Sequence, residues 1–405
     1  MNTAPSCVWK RFPLYPHTLG KVYWKKEAND VKRLFLFIVL IAAVYLAKPF
    51  WEEPVSKYVD LSFLEPVDEK LEGIVTKDTI ESTYHTLRDA TEELIGIVSS
   101  KTEDLRDAKQ PVDKPALAAP TATPLSVNNL EIGASADDVT AALGQPKRES
   151  LNEYGTEWKT YHTDYQNFVM VAFDDANRVA ALYTNDDLIS SKSGVRYGST
   201  KADVRKALGQ PLTKMRKGLN VYILQEDEGM DLFKLDDVYA YVFYDVHQDT
   251  KVTAVELVTT ELENLKKGLY AERSEALRNG FEQQLFDLTN AARVRHGRSI
   301  LTWDSAVSGT ARKHSADMAE NNYFSHDNLK GQSPFDRIKE DGIRFKRAGE
   351  NLAYGQSSSI FAHEGLMNSE GHRENILLKD YRSLGIGVSF SQELQPYFSE
   401  EFLLR

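Results

Sequence analysis

The sequence predicts an α+β protein carried on one membrane-spanning helix. Three observations lead there. A single apolar segment occupies residues 34–51, a helix-and-strand pattern recurs at an offset of 65 residues within 128–262, and long amphipathic helices followed by closing strands fill 274–405. At about 100–200 residues per domain, a chain of 405 residues holds two or three folded units. A content of 41% hydrophobic residues excludes disorder over the whole length, and the low mean hydropathy excludes a multi-span membrane protein. Cys7 is the one cysteine, so there is no intramolecular disulfide, zinc ribbon or CxxC redox site.

The N-terminal tail, residues 1–33, holds seven Lys and Arg against two acidic residues, a charge of +5. Since the chain totals −11, residues 34–405 carry −16. The sign changes at Leu34–Ala47, which with Lys48–Trp51 makes 18 residues, close to the roughly 20 that a spanning helix needs. Lys48 can snorkel and Trp51 suits the interface. The basic flank puts the N-terminus in the cytoplasm and everything after about residue 52 outside. Signal cleavage requires small residues at −1 and −3. A cut after Ala47 places Tyr45 at −3 and a cut after Ala43 places Ile41 there, so an uncleaved, single-pass signal anchor is expected. The acidic remainder argues against nucleic-acid binding, which needs a basic face.

Residues 52–127 are expected to be a stalk and linker. Apolar positions at Leu71, Ile74 and Val75 and at Leu94, Ile97 and Val98 follow helical spacing. Pro111–Ser126, rich in proline and alanine, reads as a semi-extended linker. In residues 128–262, Ile132–Pro146 returns as Tyr197–Pro211, with Leu143-Gly-Gln-Pro146 matching Leu208-Gly-Gln-Pro211. Ser135 and Thr200 can cap short helices, and Gly144 and Gly209 end them before a proline. Alternating β-branched and aromatic residues mark strands at Glu157–Tyr161, Phe168–Phe173 and Arg178–Tyr183, then at Asn220–Leu224, Val238–Tyr244 and Val252–Leu257. Each copy reads as a helix followed by a β-meander. The acidic loops at Asp186-Asp187, Glu226–Glu228 and Asp236-Asp237 lack the spacing of a calcium loop and are expected to be solvated.

Residues 274–297 predict a helix with Ser274 ahead of it, Leu277, Phe281, Leu285, Leu288 and Ala292 on its apolar face, and Gly297 at its end. A second helix runs from about Asp304 to Asn322. Its His314 is expected to be a packing or surface histidine, and His296 and Tyr354 carry no separate signal. Then come Tyr323-Phe-Ser-His326, Gly331–Ile338, Gly349-Glu-Asn-Leu-Ala353 and Asn368-Ser-Glu-Gly-His-Arg-Glu-Asn-Ile376. Leu384–Phe390 and Pro396–Leu403 close the chain as strands.

This ordered set resembles the CAP superfamily, which groups cysteine-rich secretory proteins, antigen 5 and plant pathogenesis-related proteins, over residues 277–405. The whole layout resembles bacterial membrane-anchored members that pair this domain, here 274–405, with a CAP-associated N-terminal domain, here 128–262. The resemblance implies an α-β-α sandwich and a cleft built around two histidines and acidic residues. His326 matches the first histidine, Glu350 the acid of the Gly-Glu-Asn-Leu-Ala motif, and His372 the histidine of the Gly-His motif. Many eukaryotic members carry a second acid three residues after a tryptophan. The matching stretch here has Leu366 for the tryptophan and Ser369 for the acid, and the disulfides of animal and plant members are absent.

Two imidazoles and a carboxylate can ligate zinc with one position open to water, which makes His326 and His372 candidate metal ligands. Without metal, a histidine beside Glu350 can act as a base, or the three side chains can simply tie loops across a groove. Asn351, Ser369 and Arg373 are possible accessory groups, an ion pair being the ordinary role for Arg373. No residue is assigned as catalytic and no cofactor is required. The HExxH pattern is absent, His363-Glu364 has no second histidine in place, and there is no GxSxG element. The resemblance implies a lipid, peptide or protein ligand. The expected function is therefore that of an extracytoplasmic, membrane-anchored module that binds a ligand or partner in the cell envelope. A metal-assisted, peptidase-like hydrolase using His326, Glu350 and His372 is one alternative, and a structural envelope spacer is another.

Overall fold

The computed structural model describes residues 111–217, 220–224 and 227–405. The basic tail, the apolar segment at 34–51 and the stalk up to residue 110 lie outside the described residues. Among the described residues, no helix is long and apolar enough to cross a membrane.

Residues 111–123 have no regular secondary structure, as their prolines require, yet they are not a free linker. They run along the folded module, held by side chains that stand in for a missing partner strand. Asn129 Nδ2 donates to the Ala116 carbonyl at 3.0 Å and Asn129 Oδ1 accepts the Ala118 N–H at 2.8 Å. The Glu131 carboxylate accepts the N–H groups of Thr121, Ala122 and Thr123 at 2.6–2.8 Å. Burial alone would raise the Glu131 pKa, but these bonds win and hold it at about 2.

The first module opens with β1 (Leu125–Val127) and α1 (Ala136–Leu143). The meander β2 (Arg148–Leu151), β3 (Glu157–Thr163), β4 (Gln166–Phe173) and β5 (Val179–Thr184) follows. After β6 (Ile189–Ser191), α2 (Lys201–Leu208) begins a second set: β7 (Lys214–Lys217), β8 (Asn220–Ile223), β9 (Met230–Leu235), β10 (Val238–Asp245) and β11 (Lys251–Thr259), closed by α3 (Thr260–Leu265). Ser135 caps α1 in a reciprocal box with Asp138, and Thr200 caps α2 through Asp203 N–H. Gly144 and Gly209 end the two helices with φ of 73° and 93°, a region open to glycine. The expected strands are all present, and β9, which sequence periodicity did not single out, joins them. Most strands enter one antiparallel sheet of seven, in the order β2-β3-β4-β5-β11-β10-β9.

Strands buried on both faces need two covers. One face packs on α1, α2 and the β1–β6 pair through Val139, Val204, Leu125 and Ile189. The other face, with Trp158, Phe168, Tyr183 and Tyr241, packs on Leu288, Ala291 and Ile360 of the C-terminal region.

That region contains α4 (Glu275–Arg295), β12 (Thr302–Trp303), α5 (Ser305–Asn321), α6 (Pro334–Glu340), β13 (Arg347–Tyr354), α7 (Ser359–Asn368), α8 (Glu370–Leu377), β14 (Ser383–Phe390) and β15 (Pro396–Leu404). Ser274 caps α4, and Asp304 caps α5, which ends on left-handed Asn322. The four strands take the order β12-β14-β15-β13, parallel only between β12 and β14. One sheet face packs on α4, α7 and α8 through Phe281, Leu285, Leu366 and Ile376. The other packs on α5 and α6 through Val307, Met318 and Ile338. The α5 backbone comes so close to β14 that a Cβ at Gly387 would lie 2.0 Å from Arg312 N. This is the expected α-β-α arrangement, with a further sheet laid on its α4/α7 side. The expected boundary between 262 and 274 therefore separates chain segments that share a core.

Candidate functional site

β13 is an edge strand of the four-stranded sheet. Adjacent residues on a strand face opposite sides, and Glu350 and Asn351 show it. Glu350 meets groups from the α5–α6 side. His326 Nδ1 donates to its Oε1 at 2.7 Å, and Arg337 Nη2 donates to its Oε2 at 2.5 Å. Arg337 also donates through Nη1 to the His326 carbonyl at 2.6 Å, which fixes the loop bearing the histidine. Asn351 meets the other helix layer. Its Nδ2 donates to the His372 carbonyl at 3.1 Å and to Glu400 Oε2 at 3.0 Å. His372 itself, half-buried, pairs Nδ1 with Ser369 Oγ at 2.8 Å. The two helix layers thus deliver His326 and His372 to the same edge strand.

The electrostatics are uneven. Glu350 is buried, which alone would raise its pKa, but the bond from His326 and the charge on Arg337 hold it below the ordinary range. His326, whose side chain is 54% exposed, is pushed up by its bond to Glu350, against partial burial. His372 is lowered by burial and by the nearby charge on His326. Glu401, fully buried behind Glu350, is raised by desolvation and by the Glu350 charge. The result is one carboxylate, one fixed guanidinium and one exposed imidazole that readily carries a proton.

Sequence reasoning missed several neighbours. Arg337 sits one residue past the capping box Ser333–Asp336, a helix start visible in the sequence, yet nothing local announced its bond to Glu350. His314 is buried behind the pair, with Nε2 donating to the Ser325 carbonyl at 2.9 Å. Phe324 and Tyr354, each 44% exposed, stack with centroids 4.6 Å apart, and Tyr354 continues onto Tyr397 at 5.4 Å. Phe324 precedes His326 by two residues and Tyr354 follows Glu350 by four, so this exposed aromatic pair sits on the two segments that carry the imidazole and its carboxylate. Arg373 does not join the cluster. Its guanidinium points away, to Asp245 Oδ2 at 2.8 Å.

The donor set does not suit zinc. Both Glu350 oxygens are engaged, one by an imidazole nitrogen and one by a guanidinium. Among the described residues, no three His, Cys, Asp or Glu side chains could hold a metal ion.

The His326–Glu350 pair gives a pH signature. A raised histidine stabilises fully below its ordinary 6.5 and loses that contribution as pH rises through its folded value. A lowered carboxyl stabilises above its ordinary 4.5 and loses that contribution as pH falls through its folded value. The difference in melting temperature between wild type and His326→Ala should therefore be greatest at about pH 5.5 and shrink toward about pH 8. Melting curves across that range check it, and a pH-independent difference would contradict the pairing.

The comparisons with known proteins agree with this architecture. The CAP-associated N-terminal family model matches residues 132–269, and the cysteine-rich secretory protein family model matches residues 286–402. A Bacillus subtilis protein named "Uncharacterized membrane protein YlbC" is 31% identical over 295 residues, which are 68% of this chain and 82% of that protein. The crystal structure of an extracellular SCP-domain protein from Bacillus anthracis superimposes with a TM-score of 0.60 at 28% identity, covering 73% of this chain and all of that one. A cysteine-rich secretory protein from Staphylococcus aureus shares the fold, with a TM-score of 0.54 at 19% identity over 71% of this chain and 97% of that one. The chain belongs to the bacterial CAP superfamily, in the form that joins a CAP domain to a CAP-associated N-terminal domain.

Proposed function

We propose that this protein is an extracytoplasmic binding module, held at the membrane by residues 34–51, whose CAP cleft captures a lipid, peptide or protein ligand. The observation that carries the reading is the exposed His326 imidazole, fixed by buried Glu350 and Arg337, with the exposed Phe324–Tyr354 pair on the same two segments of chain. A protonated imidazole donates to a carboxylate or carbonyl. The aromatic faces take an apolar segment next to it. The site therefore suits an amphiphile with an acceptor at one end. Residues 128–262, read as a duplicated helix-plus-meander unit, support the CAP domain. Titration of the full chain with a fluorescent long-chain carboxylate, and separately with an apolar peptide ending in a free carboxylate, tests this. Saturable binding of at least one is expected, weakened about tenfold in His326→Ala, the size of one charge-assisted hydrogen bond. Failure of both probes to bind would sink the reading.

The membrane placement is supported by the apolar segment with its basic flank, by the name of the Bacillus subtilis relative and by the extracellular description of the Bacillus anthracis one. Alkaline phosphatase, active only outside the cytoplasm, should be active when fused after Arg405. Deletion of residues 34–51 should abolish that activity.

A hydrolase reading has one contact in its favour, Ser369 Oγ against His372 Nδ1 at 2.8 Å. A serine activated by a neighbouring imidazole reacts with fluorophosphonates. The binding reading expects no labelling of Ser369, and labelling lost in His372→Gln would favour the hydrolase instead.

A further inference from the structure

The turn that carries His372 is gripped from outside the CAP domain. Asn368, the last residue of α7, donates through Nδ2 to the Tyr244 carbonyl at 2.9 Å and accepts the Val246 N–H on Oδ1 at 3.1 Å. Its own carbonyl lies 3.1 Å from His247 Nε2. At the other end of the turn, Arg373 Nη2 donates to Asp245 Oδ2 at 2.8 Å, and Asp245 Oδ1 takes the His247 N–H at 2.9 Å. Residues 244–247 belong to the N-terminal module, at the end of β10. The fit is close: a Cβ on Gly229 would lie 2.5 Å from Asn368 Nδ2. Between the two gripped residues stand Ser369 and His372, bonded to each other.

The start of α8 is weakly secured by its own side chains. Ser369 is the N-cap of α8 but makes no side-chain cap bond, because its hydroxyl faces His372 instead. The N-terminus of α8 thus lacks the side-chain cap that steadies most helix starts, and α8 has only eight residues. Asn351 holds the His372 carbonyl from within the CAP domain, and Asp245 with the backbone at Tyr244 and Val246 adds a second hold on the same turn from outside it.

We propose that residues 244–247 of the N-terminal module are positioning residues for His372, so that the accessory domain sets the posture of one wall of the CAP cleft. This rests on His372 belonging to the ligand cleft, but it predicts a property of His372 that needs no ligand. The loss of ligand binding and the loss of this coupling are therefore separable outcomes.

The test is NMR of the full chain labelled with carbon-13 at histidine Cε1, with His372 assigned through His372→Gln. In Asp245→Asn, the His372 resonance should move, and its titration midpoint should change with it as the turn loosens and the Arg373 charge is left unpaired. Asp245→Glu should restore much of the wild-type midpoint, and the His326 resonance should stay in place. His247 is exposed, and His247→Ala removes only the contact to the Asn368 carbonyl. It should give a smaller shift without risk to folding. An unchanged His372 resonance and midpoint in folded Asp245→Asn overturns the proposal. If that variant does not fold, an unchanged His372 in His247→Ala overturns it.

Discussion

The structure turns on a single layer of helices that must satisfy two sheets at once. Leu277, Phe281 and Leu285 of α4 face the four-stranded sheet, while Leu288 and Ala291 of the same helix join the core under the seven-stranded one. Ile360 of α7 goes with the seven-stranded sheet, and Leu366 goes the other way. Fully burying a side chain such as leucine or isoleucine is worth about 1.5–3 kcal/mol. Separating the modules would therefore expose apolar surface on both sides of the break. A helix apolar on more than one face belongs inside a larger body, and here the body is completed by the second module.

Polar groups in the same layer fix the register between the modules. Asp287, buried on α4, accepts from Arg148 Nε at 2.7 Å and from the Tyr165 hydroxyl at 2.9 Å. Arg295 donates to Asp186 at 3.2 Å, so one of the acidic loops is occupied by an interface contact. The Tyr183 hydroxyl donates to Glu364 at 2.7 Å, where burial lifts the carboxyl to about 7. Such pairs add little net stability, because desolvation offsets their attraction. Removing Arg148 would leave the buried Asp287 carboxylate without its ion-pair partner, which is costly. The pairs select one docking geometry from the many that apolar contact alone would tolerate.

The sequence spoke clearly where local physics decides. The α4 and α5 helices follow from a sustained apolar period with Ser274 and Asp304 at their starts, and their ends fall within two residues of expectation. The repeated helices follow from Ser135, Thr200 and the glycine–proline stops. β13 was legible only as a motif. Glu350 and Asn351 interrupt the apolar alternation that marks a strand, and they are tolerated there because Glu350 is bonded by Arg337 and His326 on one side of the sheet and Asn351 bonds Glu400 and the His372 carbonyl on the other. His326, Glu350 and His372 came from family resemblance. Arg337, Asp245 and Tyr183 could not, since contacts across 13 to 181 residues leave no local period. Arg373 shows the same limit at close range. One step along a helix turns a side chain by about 100°, which sends it to a different domain from its neighbour His372.

The docked segment at 111–123 has a mechanical consequence. A tension on the chain ahead of residue 111 meets a row of side-chain contacts before it reaches the backbone ladder of β1 and β6. It first loads the Val112 N–H against Gln166, then the two bonds of Asn129, then the three N–H groups on Glu131, and only afterwards the β1–β6 pair. The contacts yield in series from the free end, with the densest cluster last. The segment thus behaves as a strain relief: a brief pull is taken up by bonds to side chains that can re-form, before the backbone pairing of β1 and β6 is tested.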